Sequence, residues 1–171
     1  MLTVHGKDLR MSKILVVYYS LDGNTELAAN QIKDITGADL EQLIPEHEPV
    51  RKGFRKLAAG GFQALIHYKP RIKRLRHRLE DYETIVIAAP VWAGTCPPAM
   101  ETFLNKESFS GKEVVICACS ASGKADRMID RIRHFVGRDN TVSVTTSLVS
   151  PLKNPDKTRQ KLEEFCLAWA E

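Results

Sequence analysis

Five short runs of apolar and β-branched residues are spaced along the chain: Ile14 to Tyr19, Leu40 to Ile44, Thr84 to Ala89, Val114 to Cys119 and Thr141 to Val149. The first, third and fourth are nearly continuous in apolar residues rather than alternating, which is the pattern of parallel strands buried on both faces. The second is weaker and mixed, as an edge strand is. Between the runs, apolar residues recur at helical spacing. Asn24 to Ile35 carries Leu27, Ala28, Ile32 and Ile35, and Gly37 stops it. Pro97 to Phe103 opens on prolines, which suit a first helical turn. Lys124 to Val136 carries Met128, Ile129, Ile132, Phe135 and Val136, and ends near Gly137. Asp156 to Ala170 sets Leu162, Phe165, Cys166 and Trp169 on one stripe, with Asn154 or Asp156 as cap. Strand–helix alternation repeated in this way predicts a doubly wound α/β fold, a parallel sheet with helices on both faces.

One stretch breaks the alternation. Residues 45–70 are too long for a connection inside a compact α/β unit. Phe54, Leu57, Ala58, Phe62, Leu65 and Ile66 recur there at helix-like intervals. They predict an inserted amphipathic helix, interrupted near Gly60-Gly61, within an insertion over about residues 45–78. Residues 1–10 stand before a second methionine, Met11, and read as an N-terminal extension. The expected organisation is one domain over residues 11–171.

Charge sharpens the picture of the insertion. The 171 residues carry a net charge of +4, yet Arg51 to Arg78 holds ten Lys or Arg and no Asp or Glu. The remainder, with 15 basic and 21 acidic residues, is therefore acidic at −6. This asymmetry reads as a solvated basic helix face, with a nucleic-acid, membrane or acidic-partner surface as the functional alternative. No apolar run approaches the roughly 18 residues of a membrane span. Met1 to Arg10 lack the apolar centre of a secretory signal, so a cytoplasmic location is expected. Cys96, Cys117, Cys119 and Cys166 have no paired CxxC spacing, which disfavours zinc. Cys117 and Cys119 would face one side of a strand, as buried thiols.

In an open parallel sheet, ligands bind outside the carboxyl ends of the strands. Three loops leave such ends with unusual chemistry. Ser20 to Thr25 follows a buried strand and opens a helix. Its hydroxyls, the Asn24 amide, Gly23 and the free N–H groups of the helix start make either an anion cradle or a simple cap. Pro90-Val91-Trp92-Ala93-Gly94-Thr95-Cys96-Pro97-Pro98 exposes a tryptophan able to cover an aromatic ring, beside a glycine that allows close approach. Cys119 to Lys124 is built of small residues that admit a flat ligand. Ser122-Gly123-Lys124 matches the end of a P-loop, but the earlier glycine is missing and Ala125 replaces Ser or Thr. No arginine stands where a cysteine-phosphatase loop needs one.

These three loops, in this order, resemble the flavodoxin family over nearly the whole chain from Met11 onward. Val17 to Thr25 is similar to the FMN phosphate loop of that family, S/T-x-T-G-N-T, with Asp22 in place of the usual threonine. Pro90 to Pro98 resembles the flavin-ring loop. Ser120 to Gly123 resembles the second ring loop, but lacks the tyrosine that often covers the outer ring face in electron carriers. The resemblance implies a five-stranded sheet of order 2-1-3-4-5, and FMN as cofactor. The implied cofactor-binding residues are Ser20, Asp22, Gly23, Asn24 and Thr25; Pro90, Val91, Trp92, Ala93 and Gly94; and Ser120, Ala121 and Gly123. No catalytic side chain and no metal are expected.

Two redox roles follow from the resemblance. One is an FMN-dependent reductase of the NAD(P)H:quinone type. The other is a flavodoxin electron carrier docking with redox proteins. Carrier flavodoxins tend to be acidic, whereas this chain has a pI near 8.9, and its uncovered third loop leaves a ring face open. The expected partners are thus a redox protein or a small acceptor such as a quinone, NAD(P)H as donor, and a second copy of the chain in a homodimer. Nucleic acid is disfavoured.

Overall fold

The computed structural model describes residues 13–47, 69–137 and 140–170. Five strands make one all-parallel sheet in the order β2-β1-β3-β4-β5. They are β1 (Ile14–Tyr18), β2 (Asp39–Gln42), β3 (Thr84–Pro90), β4 (Glu113–Ser120) and β5 (Thr141–Val149). Four α-helices are seen among the described residues: α1 (Asn24–Thr36), α2 (Pro98–Lys106), α3 (Asp126–Val136) and α4 (Pro155–Leu167). The parallel sheet and its order are those expected. Helix α3 starts two residues later than its apolar pattern, and α4 stops short of Ala170. β2 is shorter than the run 40–44 that announced it, because the chain from Ile44 onward pairs with a different segment.

The strand pleat sorts the apolar side chains into two cores. Leu15, Val17, Ile85, Ile87, Val114 and Ile116 pack against Met100 and Phe103 of α2 and Met128 and Ile132 of α3. Val16, Val86, Val115 and Cys117 pack against Ala28 and Ile32 of α1 and Leu162 and Phe165 of α4. Each alternate residue of a central strand is thus buried on one face or the other, which explains the continuous apolar runs. Cys117 and Cys119 do share a face, and both are buried.

The segment after β2 departs from expectation. Residues 54–66, predicted helical, and residues 1–10 lie outside the described residues. Where the chain is described again, 69–78 is no basic helix face. It runs back along β2 as an extended strap. Pro45 and Ile72 form an antiparallel bridge. Glu46 N–H donates to the Arg71 carbonyl and Lys73 N–H to that of Ile44, both at 2.8 Å. Thr102 Oγ1 of α2 donates to the Pro70 carbonyl at 2.9 Å. Glu41 of β2 is only 3% exposed. Its Oε2 accepts the backbone N–H groups of Arg76 and His77 at 2.8 and 2.9 Å and meets His77 Nδ1 at 2.9 Å. The strap is therefore stitched to the sheet edge at both ends.

Candidate functional site

The loops after β1, β3, β4 and β5 converge at the carboxyl end of the sheet, where parallel strands place their ligand crevices. A cavity of about 290 Å³ opens among them. Of the residues expected there, Asp22, Asn24, Pro90, Val91, Trp92, Ser120 and Ala121 line it. Ser20, Gly23, Thr25, Ala93, Gly94 and Gly123 belong to the same loops but not to its wall. Cys119, Ser150 and Pro151 line it as well and were missed. The signal for Ser150-Pro151 was their place, directly after the fifth strand's carboxyl end.

The first and third loops share one hydrogen-bond plan. Ser20 Oγ accepts the Gly23 N–H at 3.2 Å, and Ser120 Oγ accepts the Gly123 N–H at 2.7 Å. Gly23 and Gly123 sit at φ 88 and 79, a left-handed conformation that strains residues with a Cβ. Two residues after the serine, Asp22 and Ser122 accept the N–H groups of Asn24 and Lys124 at 3.1 and 3.4 Å. The two loops differ chiefly in charge, Asp22-Gly-Asn24 in one and Ser122-Gly-Lys124 in the other.

Asp22 is thus neither a bystander nor a simple donor of backbone N–H. Its Oδ1 takes the Asn24 N–H and its Oδ2 takes Asn24 Nδ2–H at 2.9 Å. The carboxylate caps α1 in the manner of an anion. Asn24 is committed elsewhere too, since its Oδ1 accepts the Leu152 N–H at 3.0 Å and ties the 150–153 turn to the loop. Of the alternatives open in the sequence, the cap is present, supplied by Asp22 rather than by Ser20 or Asn24. Gly23 is the N-cap and makes no side-chain bond, while the cap comes from Asp22. Among the described residues, the Thr25 hydroxyl is fully buried and has no hydrogen-bond partner. A buried orphan of this kind costs about 1–3 kcal/mol, which a ligand at the loop would recover.

The second loop turns sharply. Trp92 and Thr95 exchange both backbone hydrogen bonds, at 2.9 and 2.8 Å, around Ala93 at φ 47 and Gly94 at φ 81. Two positive φ values define a tight turn of the I′ kind. Ala93 and Gly94 N–H find no acceptor among the described residues, leaving two adjacent donors on the loop. Ala93 holds its conformation at a cost of about 1–2 kcal/mol. Ala93→Gly is expected to raise the denaturation midpoint modestly, by about 0.5–1 kcal/mol of stability, in a urea titration.

Trp92 corrects the expectation of an exposed ring. It is 9% exposed and packs edge-on against Tyr19, with ring centroids 5.6 Å apart. Part of it still lines the cavity. The loop is braced from behind by Glu101 of α2. Its carboxylate is forked by Arg131 of α3, Nε at 2.6 Å and Nη2 at 3.2 Å, and accepts Thr95 Oγ1 at 3.5 Å. That carboxylate holds the Arg131 guanidinium above its ordinary pKa. Burial pushes the neighbouring Cys96 thiol up to about 12, so it is inert at neutral pH. The Cys117 thiol is also raised, first by its hydrogen bond to Cys119 and then by burial. No cluster among the described residues could hold a metal ion, and no helix among them is long and apolar enough to cross a membrane.

A family model described as Flavodoxin matches residues 13–164. Several solved structures share the fold. A candidate flavoprotein from Bacteroides uniformis aligns with a TM-score of 0.72 at 20% identity, covering 92% of this chain and 99% of its own. A flavoprotein from Lactobacillus acidophilus NCFM, solved in complex with FMN, aligns at 0.62 and 21%, covering 83% and 97%. Oxidised Flavodoxin 2 from Bacillus cereus aligns at 0.58 and 19%, covering 93% and 98%.

Proposed function

The chain belongs to the flavodoxin family, and from that premise we propose that it binds FMN among the loops after β1, β3 and β4 and works as an FMN-dependent reductase. The observation that carries this reading is the buried, unpartnered Thr25 hydroxyl at the helix start. Of the four buried side-chain polar atoms without a partner among the described residues, those of Thr25, Gln31, Asn140 and Trp169, it is the one at the loops that border the cavity. The Ala93 and Gly94 N–H groups are ready donors for the polar edge of a flavin ring. Ser20, Asp22, Gly23, Asn24 and Thr25 would hold the phosphate end. Pro90 to Gly94 would hold one side of the ring, and Ser120, Ala121 and Gly123 the other. FMN would supply the redox chemistry when bound, and the chain's part would be to bind and orient it.

Two features favour a reductase over a carrier. The loop Ser120–Gly123 has no aromatic side chain to cover a ring. The chain's pI near 8.9 also departs from the acidic balance of carrier flavodoxins.

An absorption spectrum of purified protein mixed with FMN is the first test, and a protein that stays colourless after desalting sinks the reading. NAD(P)H oxidation with a quinone then selects the reductase. Its absence, with reduction only by a partner protein, selects the carrier. Thr25→Val probes the orphan hydroxyl directly. The apo-protein is expected to gain about 1 kcal/mol in denaturant unfolding, because the isosteric change removes an unmet polar group. FMN affinity is expected to fall about tenfold in the same variant, for one lost bond to a charged group. A variant that loses stability and keeps its affinity would move the phosphate elsewhere.

A further inference from the structure

We propose that the exposed cationic ridge of the strap is the docking surface for an acidic protein redox partner. The inference rests on the redox reading above but concerns a different surface. Lys69, Arg71, Lys73, Arg74, Arg76 and Arg78 are all exposed with no acidic residue between them in sequence, and Glu46, Glu80 and Glu107 flank Lys73, Arg74 and Arg78 in one surface depression. Pro70 and Ile72 are buried beneath them, Leu79 closes the run, and Leu75 packs on the core. The extended backbone thus sends its apolar side chains inward and its cations outward. Arg76 and Arg78 lie near Glu41 and Glu80 at 3.9 and 3.6 Å. Lys69, Arg71, Lys73 and Arg74 have no ion-pair partner among the described residues.

Two properties separate this ridge from a solvated charge run. It is rigid, because Glu41, the Pro45–Ile72 bridge and Thr102 fix its backbone. Little ordering entropy is left to lose on docking. Its first residues also lie toward the carboxyl end of the sheet. Ile72 bridges the chain just beyond the carboxyl end of β2, and Pro70 bonds to α2, the helix that directly follows the Pro90–Pro97 loop. A partner seated on Lys69 to Arg74 therefore sits at the same end of the sheet as the cavity.

The ridge's own chemistry chooses the partner class. Residues 69–78 contain no Phe, Tyr or Trp on which a base could stack, and the His77 ring is turned onto Glu41 and Tyr82. They expose no large apolar side chain to enter a bilayer. What they offer is a fixed row of cations, which matches an acidic protein face and speeds its encounter by roughly 10- to 1,000-fold at low salt.

The test uses the full chain and the variant Arg71→Glu/Lys73→Glu/Arg74→Glu. These side chains make no ion pair or side-chain hydrogen bond among the described residues, and they lie outside the cavity wall. The probes are an oxidised [2Fe–2S] ferredoxin with an acidic surface, a 20-nucleotide single strand, and phosphatidylserine vesicles, each titrated at 20 and 200 mM salt. Wild type is expected to bind the ferredoxin at low salt and to weaken at least tenfold at 200 mM. The variant is expected to bind at least tenfold more weakly at 20 mM while keeping wild-type FMN affinity and thermal midpoint. Arg71→Gln/Lys73→Gln/Arg74→Gln should fall between the two. Absent ferredoxin binding, a flat salt response or an unaltered variant overturns the proposal. So does tighter binding of the oligonucleotide or the vesicles at 200 mM. If the protein fails to bind FMN, the reductase reading falls, and ferredoxin binding by the apo-chain still decides the ridge.

Discussion

Asp22→Asn is expected to tighten FMN binding about tenfold, measured by flavin fluorescence quenching. The carboxylate folds back onto the helix start, with Oδ1 on the Asn24 N–H and Oδ2 on the Asn24 side-chain amide. A phosphate held by the same loop meets a like charge and a competitor for the same donors. Two unit charges about 5 Å apart repel by about 3 kcal/mol at an effective dielectric near 20. Asp22 is exposed, so solvent screening cuts the effect to about 1–2 kcal/mol, and 1.4 kcal/mol is one factor of ten. Asparagine keeps an oxygen to accept the Asn24 N–H, so the cap survives while the charge goes. Riboflavin, which has no phosphate, is the control and should bind both proteins alike. Equal tightening for riboflavin and FMN would trace the effect to loop rearrangement and reject the electrostatic account.

Glu41→Ala is expected to cost about 3 kcal/mol, the upper range for stranding buried partners of a charged acceptor. Glu41 is buried, and one of its oxygens satisfies two backbone N–H groups and faces the His77 ring. Removing it leaves those groups unmet and opens a void beside β2. For a chain of this size each kcal/mol is worth about 2–4 °C, so the midpoint should fall by about 6–12 °C. Glu41→Gln, which retains an acceptor oxygen, should lose about 1 kcal/mol. Hydrogen exchange localises the effect, since the Arg76 and His77 amides should lose protection before those of β1 and β3. A midpoint within a degree of wild type would show that the strap is held by its apolar side chains alone.

The Glu41 clamp was not legible in the sequence. Arg76 and His77 lie 35 and 36 residues from it, and the intervening basic stretch looked like one helical insertion. The helix-like spacing of Phe54 to Ile66 drew that picture, and the basic charge of 51–78 was read as a face of the same helix. Only pairing with the β2 edge shows that the last ten residues alternate inward and outward. Trp92 was misplaced for a related reason. Its loop position suggested exposure, yet a turn with two positive φ values folds the indole back onto Tyr19.

What the sequence determined by itself was the frame. Central parallel strands are buried on both faces and must be apolar throughout, so Ile14 to Tyr19, Thr84 to Ala89 and Val114 to Cys119 announce a doubly wound sheet. That sheet sends its ligand loops to the carboxyl ends, which places Ser20 to Thr25, Pro90 to Gly94 and Ser120 to Gly123 together without any coordinates. The tertiary structure alone decided how those loops are used: Asp22 as an internal anion, Thr25 as an orphan, Ser150-Pro151 as a fourth wall and the strap as a fixed ridge. Hydrophobic periodicity is a local property and can be read along the chain. Hydrogen-bond partners and side-chain direction are set by which segments meet in space, and that depends on residues far apart in sequence.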